Sequence, residues 1–269
     1  MADNARGTLV IIGGAEDKKG DKKILRFVSD IAAQTGGLLA VITTATEKPE
    51  EVGETYRGIF NELGFQNVDC LNLNSRDDAE NDNISDVIGR AGGIFFTGGD
   101  QLRITSILGG TKAHRALLSA YHNGVVIAGT SAGASVMSST MVVDGNDNGP
   151  ARKCTLKMAP GFGFLEGAII DQHFAQRGRI GRLLCGVAEN PSVLGIGIDE
   201  NTAIVVKPDR HFEVIGDNSV TVVDGKSIKS SNVSELKPDE ILAIANVTLH
   251  VLTAGYGFDM EERSVLRLH

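Results

Sequence analysis

Residues 125–137 read VVIAGTSAGASVM. The apolar run before Gly129 predicts a buried strand, and the small and apolar residues after Ser131 predict a helix. A serine at a sharp strand-to-helix turn is the context of a nucleophile elbow, in which a strained turn exposes the hydroxyl. Glycines at positions 129 and 133 agree with this, because larger side chains two residues before or after the serine would collide. The alternative is a glycine-rich junction without a catalytic role.

Strand and helix patterns alternate along the first half of the chain. Apolar runs predict strands at residues 8–12, 38–42, 68–73, 93–96 and directly before Ser131. Helical spacing of apolar residues occurs between them, at 24–33, 50–63, 83–90, 102–108 and 112–122. This alternation predicts an α/β fold with a mostly parallel central sheet and helices on both faces. Ligands bind beyond the carboxyl ends of such strands, where the loops at Gly13, Thr43, Gly98 and Ser131 should gather.

The second half of the chain is less regular. Residues 167–170 and 193–198 predict two more strands, and residues 144–160, rich in Gly, Asn and Asp, predict a surface loop or flap. Short apolar runs at 212–215, 220–223, 243–246 and 248–252 predict extra C-terminal β strands that extend or edge the main sheet. We expect one domain over residues 1–269, with the β-rich residues 202–269 as part of it.

Composition narrows the class of function. The formal charge of −8 argues against binding to nucleic acid or to an anionic membrane, because both would repel an acidic protein. The first apolar run, residues 8–12, is too short for a signal peptide or a membrane span, so we expect a soluble, cytoplasmic protein. Cys70, Cys154 and Cys185 are widely spaced, which predicts reduced, buried thiols. No metal-ligand or phosphate-loop spacing occurs, and we expect no metal and no cofactor.

A serine nucleophile needs a base, and the base needs a third group that fixes its tautomer. Of the six histidines, only His173 directly follows an apolar strand-like run and so reaches the edge expected for Ser131. Asp199 and Glu200 end the next strand, and successive strand side chains point to opposite faces. One of the two therefore faces His173, and the spacing leaves both open. The order serine, histidine, acid differs from the order serine, acid, histidine of α/β-hydrolases.

Two backbone amides are candidates for an oxyanion hole. Ala132 begins the helix after the serine, and its N–H group is the first expected donor. Gly98 and Gly99 end the neighbouring strand, and glycine lets the backbone approach a substrate carbonyl closely, so the Gly99 amide is the second. The alternative is a Gly-Gly turn that binds no ligand.

Three arginines lie close together after His173. Arg177, Arg179 and Arg182 fall within six residues. Guanidinium groups match carboxylates in bidentate geometry, so this cluster predicts a clamp for a substrate carboxylate. The alternative is a solvated face of a helix.

Five motifs taken together resemble the cyanophycinase family: GGAEDK at 13–18, FTGGDQ at 96–101, GTSAG at 129–133, DQHF at 171–174 and GIDENT at 197–202. This family belongs with the peptidase E-like serine hydrolases, whose flavodoxin-like fold is similar to that of class I glutamine amidotransferases. The resemblance runs from the first strand to about residue 207. It implies hydrolysis of cyanophycin, which has a poly-aspartate backbone and arginine on each side-chain carboxylate, to β-aspartyl-arginine dipeptides through an acyl-enzyme.

The resemblance also implies roles for individual residues. It selects Glu200 rather than Asp199 and gives the catalytic triad Ser131, His173 and Glu200. It assigns to the substrate pocket Gln101, Asp171, Gln172, Arg177, Arg179 and Arg182. The family is typically homodimeric. The rival hypotheses are an aspartyl dipeptidase of the peptidase E type and a catalytically inactive relative that binds aspartyl peptides.

Overall fold

The computed structural model describes residues 6–145, 148–153 and 156–268, so Cys154, His269 and part of the predicted 144–160 loop lie outside the described residues. The strands are β1 (Leu9–Ile12), β2 (Leu38–Ile42), β3 (Val68–Leu71), β4 (Ala91–Phe96), β5 (Val126–Thr130), β6 (Thr140–Gly145), β7 (Leu156–Pro160), β8 (Ala168–Gln172), β9 (Leu194–Ile198), β10 (Thr202–Val206), β11 (His211–Gly216), β12 (Val220–Asp224), β13 (Ser230–Ser231), β14 (Ile244–Ala245), β15 (Thr248–Leu252), β16 (Tyr256–Asp259) and β17 (Ser264–Arg267). The helices are α1 (Lys23–Thr35), α2 (Pro49–Glu62), α3 (Arg76–Ala79), α4 (Asp82–Gly89), α5 (Gln101–Leu108), α6 (Lys112–His122), α7 (Ala132–Ser135) and α8 (Ile180–Glu189), with a 3₁₀ turn at Ala175–Arg177.

The main sheet, within the described residues, has nine strands in the order β17-β16-β11-β10-β1-β5-β4-β2-β3. Strands β1 to β5 run parallel to one another. Strands β10, β11, β16 and β17 continue the sheet in antiparallel pairings. The predicted α/β fold and its extra C-terminal strands are confirmed, and the sheet as a whole is mixed because those strands join it antiparallel.

Side chains of the central strands pack alternately on the two faces of this sheet. Leu9 and Ile11 belong to the apolar cluster that includes the buried faces of α5 and α6, whereas Val10 and Ile12 belong to the cluster of α1 and α2. All four are fully buried. Burial of such a side chain stabilises the fold by roughly 1.5–3 kcal/mol, and burial on both faces explains why β1 reads as a continuous apolar run. The helices cover the two faces of the sheet, so a functional site can form at the carboxyl ends of the strands.

A second sheet, which the described part of the chain forms from four strands, has the order β15-β12-β9-β8. The expectation that residues 220–223, 243–246 and 248–252 extend or edge the main sheet is therefore wrong, because β12 pairs with β9, β15 pairs with β12, and β14 pairs with β13. The alternation of apolar residues predicts which face of a strand is buried, but it does not predict which strand pairs with it. Residues 199–201 connect β9 of this sheet to β10 of the main sheet.

The predicted loop over residues 144–160 is partly wrong as well, since β7 pairs antiparallel with β6 in a hairpin. The first two residues of the predicted loop, Asp144 and Gly145, end β6, and its last five residues form β7. Cys70 is half-buried and Cys185 is buried, and the Cys185 thiol donates to the Arg152 carbonyl at 2.9 Å. None of the helices in the described ranges combines the length and the hydrophobicity needed to span a bilayer. The single-domain organisation stays a prediction.

Candidate active site

Ser131 occupies the turn between β5 and α7, with φ of 53° and ψ of −109°. Non-glycine residues in such conformations cost on the order of 1–3 kcal/mol and persist where the surrounding structure enforces them. A Cβ atom at Gly129 would lie 2.5 Å from the Gly133 carbonyl oxygen, and one at Gly133 would lie 2.5 Å from that of Phe96. The close packing of β4, β5 and α7 therefore requires both glycines of the elbow.

The His173 imidazole lies between a hydroxyl and a carboxylate. Its Nε2 atom is 3.0 Å from Ser131 Oγ, and its Nδ1 atom is 2.6 Å from Glu200 Oε1. An Nδ1–H group that donates to the carboxylate leaves the Nε2 lone pair to accept from the serine hydroxyl. The backbone N–H of His173 donates to the Gly13 carbonyl at 2.8 Å. A Cβ atom at Gly14 would lie 2.4 Å from the imidazole, so only glycine fits beneath the ring.

The two acidic residues that the spacing left open have different partners. Asp199 is buried, and its carboxylate accepts from the Ala175 N–H at 2.9 Å and from the Ser219 hydroxyl at 2.7 Å. Glu200 contacts His173 instead. The backbone N–H of the following residue, Asn201, donates to the Gly14 carbonyl at 2.9 Å. The structure thus brings Glu200 to the imidazole and holds Asp199 in the connection between the two sheets.

The two amides expected to form an oxyanion hole lie in loops next to the serine. Gly98 is adjacent to the elbow, since a Cβ atom there would lie 3.4 Å from that of Ser131. Gly99 has a φ of 145°, and a Cβ atom there would lie 2.1 Å from the Ala45 carbonyl oxygen. Among the residues that the structure describes, the amides of Gly99 and Ala132 have no backbone acceptor. Both N–H groups are available to a ligand, and their role stays a prediction.

Two of the three clustered arginines are buried against an aspartate. Asp171 is 1% exposed, and Arg179 and Arg182 are each 5% exposed. Arg182 makes a bidentate ion pair with Asp171, with Nε donating to Oδ2 at 2.6 Å. Arg179 Nη1 donates to the Gln172 carbonyl at 2.6 Å and lies 3.5 Å from Asp171 Oδ1. Arg177 is exposed and stands apart from this network. Their assignment to the substrate pocket stays a prediction.

Gln101, the last of the predicted pocket residues, joins α5 to the β6–β7 hairpin. Its side-chain amide donates to the carbonyls of Val142 at 3.0 Å and Val143 at 2.6 Å. Gln101 thus fixes the position of β6, and its contact with a substrate also stays a prediction.

Comparison with known proteins decides the family. Residues 9–214 match the model of Peptidase family S51. The chain belongs to this peptidase family. It is 36% identical to the cyanophycinase of Geminocystis herdmanii over 95% of this chain and 94% of that protein. It is also 36% identical to the cyanophycinase of a Nostoc species over 96% of this chain and 87% of that protein.

Solved structures agree on the fold of this S51 peptidase. A peptidase from an acI-B1 actinobacterium superposes with a TM-score of 0.71 at 21% identity, over 99% of this chain and 98% of the other. A protein from Listeria monocytogenes described as a putative peptidase E superposes with a TM-score of 0.53 at 17% identity, over 79% of this chain and 98% of the other. These likenesses concern the fold alone.

The structure brings the charged residues after β1 beside the serine, and the sequence-based predictions assigned them no separate role. A pocket of about 250 Å³ is lined by residues that include Ser131, Glu16, Lys18 and Tyr56. Glu16 is buried and accepts from the Tyr56 hydroxyl at 2.5 Å and from the Thr130 hydroxyl. Burial raises the pKa of the Tyr56 phenol well above its usual value, so the phenol stays protonated and donates. The signal in the sequence that could have indicated these pocket residues is a group of charged residues directly after a central strand.

A larger cavity of this S51 peptidase, about 720 Å³, lies along α5. Its lining includes Ala45, Asp100 and Arg103 and contains none of Ser131, His173 and Glu200. Arg103 Nε donates to the Thr44 carbonyl at 2.8 Å, which ties this helix to the loop after β2. The smaller pocket is therefore the one in which a substrate would reach the serine.

Proposed function

We propose that this S51 peptidase hydrolyses cyanophycin and releases β-aspartyl-arginine dipeptides, with Ser131, His173 and Glu200 as its catalytic triad. The observation that carries the proposal is the similarity to curated cyanophycinases over nearly the whole chain. The hydrogen-bonded serine, histidine and glutamate support a serine mechanism. The pocket beside the serine gives a bound substrate access to its hydroxyl.

Acylation begins with attack of Ser131 Oγ on the carbonyl carbon of the scissile bond, while His173 Nε2 takes the hydroxyl proton. Glu200 accepts from the Nδ1–H group and stabilises the imidazolium that forms. The amides of Gly99 and Ala132 donate to the oxygen that becomes negative in the tetrahedral intermediate. His173 then gives its proton to the leaving amine, the C–N bond breaks, and an ester of Ser131 remains.

Deacylation repeats these steps with water. His173 takes a proton from a water molecule, whose oxygen attacks the ester carbonyl. The second tetrahedral intermediate uses the same two amides. The imidazolium returns the proton to Ser131 Oγ as the C–O bond breaks, which restores the free enzyme and releases an acid product.

We propose a homodimer in the cytoplasm, and the resemblance to a family that is typically homodimeric supports the dimer. The resemblance also assigns Gln101, Asp171, Gln172 and the three clustered arginines to substrate binding. The described residues hold no cluster of ligands suited to a metal ion. Light scattering of the purified protein tests the dimer, and a monomeric mass would contradict it.

Mass spectrometry of a cyanophycin digest tests the proposed activity. Purified protein is incubated with cyanophycin granules, and soluble products are compared with those of a Ser131→Ala variant. We expect β-aspartyl-arginine from the wild type only. Absence of this dipeptide would overturn the proposal, and hydrolysis of short peptides with N-terminal aspartate in its place would identify a peptidase E type of specificity.

A further inference from the structure

Lys18 lies in the loop between β1 and α1 and lines the same pocket as Ser131. Its Nζ atom is 2.8 Å from Glu16 Oε1, and the ammonium lies 5.3 Å from the centre of the Tyr56 ring. The Lys18 side chain is 35% exposed, whereas that of Glu16 is 1% exposed. A lysine ammonium has three N–H donors, so the contact with Glu16 leaves donors for a ligand in the pocket.

The Glu16 carboxylate is buried and already accepts three hydrogen bonds, so it is a poor site for a cation from the substrate. Its Oε1 atom accepts from the Tyr56 hydroxyl and from Lys18, and its Oε2 atom accepts from the Thr130 hydroxyl. Because the Glu16 side chain is 1% exposed, a guanidinium of the substrate could reach it only by displacing one of these donors, which would leave that donor unpaired. The carboxylate therefore holds the lysine in place rather than binding the substrate.

The loop that carries Lys18 is ordered before any ligand arrives. The Asp17 carboxylate accepts from the backbone N–H groups of Lys19 at 2.9 Å, Gly20 at 2.8 Å and Lys22 at 3.0 Å. These hydrogen bonds lower the pKa of Asp17 to about 2. The Asp17 N–H also donates to Asn201 Oδ1 at 2.8 Å, next to Glu200. A fixed loop loses little conformational freedom when a ligand binds.

Arg179 and Arg182 are each 5% exposed, so they present less surface to a substrate anion in this pocket than Lys18 does. Asp171 takes the guanidinium of Arg182 in a bidentate pair, and Arg179 donates to the Gln172 carbonyl. By contrast, Lys18 keeps exposed surface in the pocket of the serine. A substrate anion can reach Lys18 without breaking a buried ion pair.

We propose that Lys18 binds the α-carboxylate of an arginyl unit of the substrate, with Glu16 and Tyr56 as positioning residues. The inference rests on the proposed function. Arginine that is attached through its α-amine to an aspartyl side chain keeps two charged groups, the guanidinium and the α-carboxylate. The α-carboxylate is the anion of each internal unit, and an ammonium attracts it while repelling the guanidinium.

Two matched substrates test this assignment: a short cyanophycin-like peptide with free arginyl carboxylates and the same peptide with these groups as carboxamides. On the carboxylate peptide we expect Lys18→Met to lower kcat/KM roughly tenfold, through KM, as for loss of a partly exposed charge-assisted hydrogen bond. On the carboxamide peptide we expect the wild type to show the same loss and Lys18→Met to show no further loss. Lys18→Arg keeps the charge and should retain most of the activity.

Lys19→Met is the matched control, because it removes the same charge from an exposed neighbour in the same loop, and it should behave as the wild type on both peptides. Glu16→Gln should raise KM for the carboxylate peptide and leave KM for the carboxamide peptide unchanged, whereas a merely structural role of Glu16 would change both. An equal loss of Lys18→Met on the two peptides, or no loss on either, overturns the inference. If the wild type cleaves neither peptide nor cyanophycin, the proposed function fails and the inference fails with it.

Discussion

Replacement of Glu200 by glutamine removes one charge from the triad and leaves its shape unchanged. The 2.6 Å contact between Glu200 Oε1 and His173 Nδ1 is the one affected. A charge-assisted hydrogen bond contributes about 1.5–3 kcal/mol, which corresponds to roughly 10- to 150-fold in rate. The amide also donates to Nδ1, which favours the tautomer with a proton on Nε2 and deprives the serine of its base. This tautomer change accounts for much of the loss of about 10⁴-fold in kcat for the matching change in a Ser-His-Asp triad.

We expect a smaller loss here, about 10³-fold in kcat, because the Glu200 side chain is 36% exposed and water replaces part of the lost stabilisation. KM should change little, since the imidazolium forms only during the reaction. The assay is the initial rate of dipeptide release from cyanophycin over a range of substrate concentrations.

Asp199→Asn is the matched control for this variant. Asp199 accepts hydrogen bonds from Ala175 and Ser219 and has no contact with the imidazole among the described residues. We expect this change to lower Tm while kcat stays within about threefold of the wild type. A large loss of kcat for Asp199→Asn together with an active Glu200→Gln would refute the reasoning.

Three further variants test other contacts of the structure. Gly14→Ala should lower kcat by one to three orders of magnitude while the folded content by circular dichroism is kept, because a Cβ atom would lie 2.4 Å from the triad imidazole and displace it; unchanged kcat would contradict this. Arg182→Met should lower the free energy of unfolding, measured by denaturant titration, by about 3 kcal/mol, because it leaves Asp171 buried with Arg179 at 3.5 Å as its remaining cation in the described residues; a loss below about 1 kcal/mol would contradict it. A hydrogen bond to the Asp259 carboxylate on β16 raises the pKa of His211 above its ordinary value of 6.5. The stabilisation from this ion pair is therefore present below pH 6.5 and is lost as the pH rises through the raised pKa. His211→Gln should therefore lower Tm at about pH 5 and leave it unchanged at about pH 9, and an equal effect at both would be inconsistent with this ion pair.

The first half of the fold could be predicted because its central strands are buried on both faces and its helices on one. Continuous apolar runs such as β1, and helical spacing such as that of α6, carry enough information to place these elements to within two or three residues. The elbow was predictable for a different reason. A side chain at Gly129 would collide with the backbone of Gly133, four residues later, so this requirement is local in sequence, whereas Gly133 packs against Phe96 of β4.

Strand partners could not be predicted from the same patterns. β12 and β11 have similar apolar alternation, yet β11 joins the main sheet and β12 joins the second sheet. The choice depends on contacts distant in sequence, so it appears only in three dimensions. The same limit applied to Asp199 and Glu200, because alternation predicts opposite directions for them and leaves open which one meets the histidine.

The chemistry of the pocket was only partly accessible from sequence. Three clustered arginines predict a clamp for a carboxylate because of the chemistry of their side chains. The burial of Arg179 and Arg182, by contrast, depends on Asp171, which lies eight and eleven residues earlier in the sequence. Lys18 lies in a motif that the resemblance uses, and its position in the pocket depends on Glu16 and Tyr56, which only the folded loop brings together.

The most direct test of the central claim is the rate of β-aspartyl-arginine release from cyanophycin by the wild type and by Ser131→Ala, each checked for folding. If Ser131 forms the acyl-enzyme, the variant should lose about 10⁶-fold in kcat, as for removal of the serine in other triads. Release of the dipeptide by Ser131→Ala at a rate near that of the wild type would show that another group performs the hydrolysis.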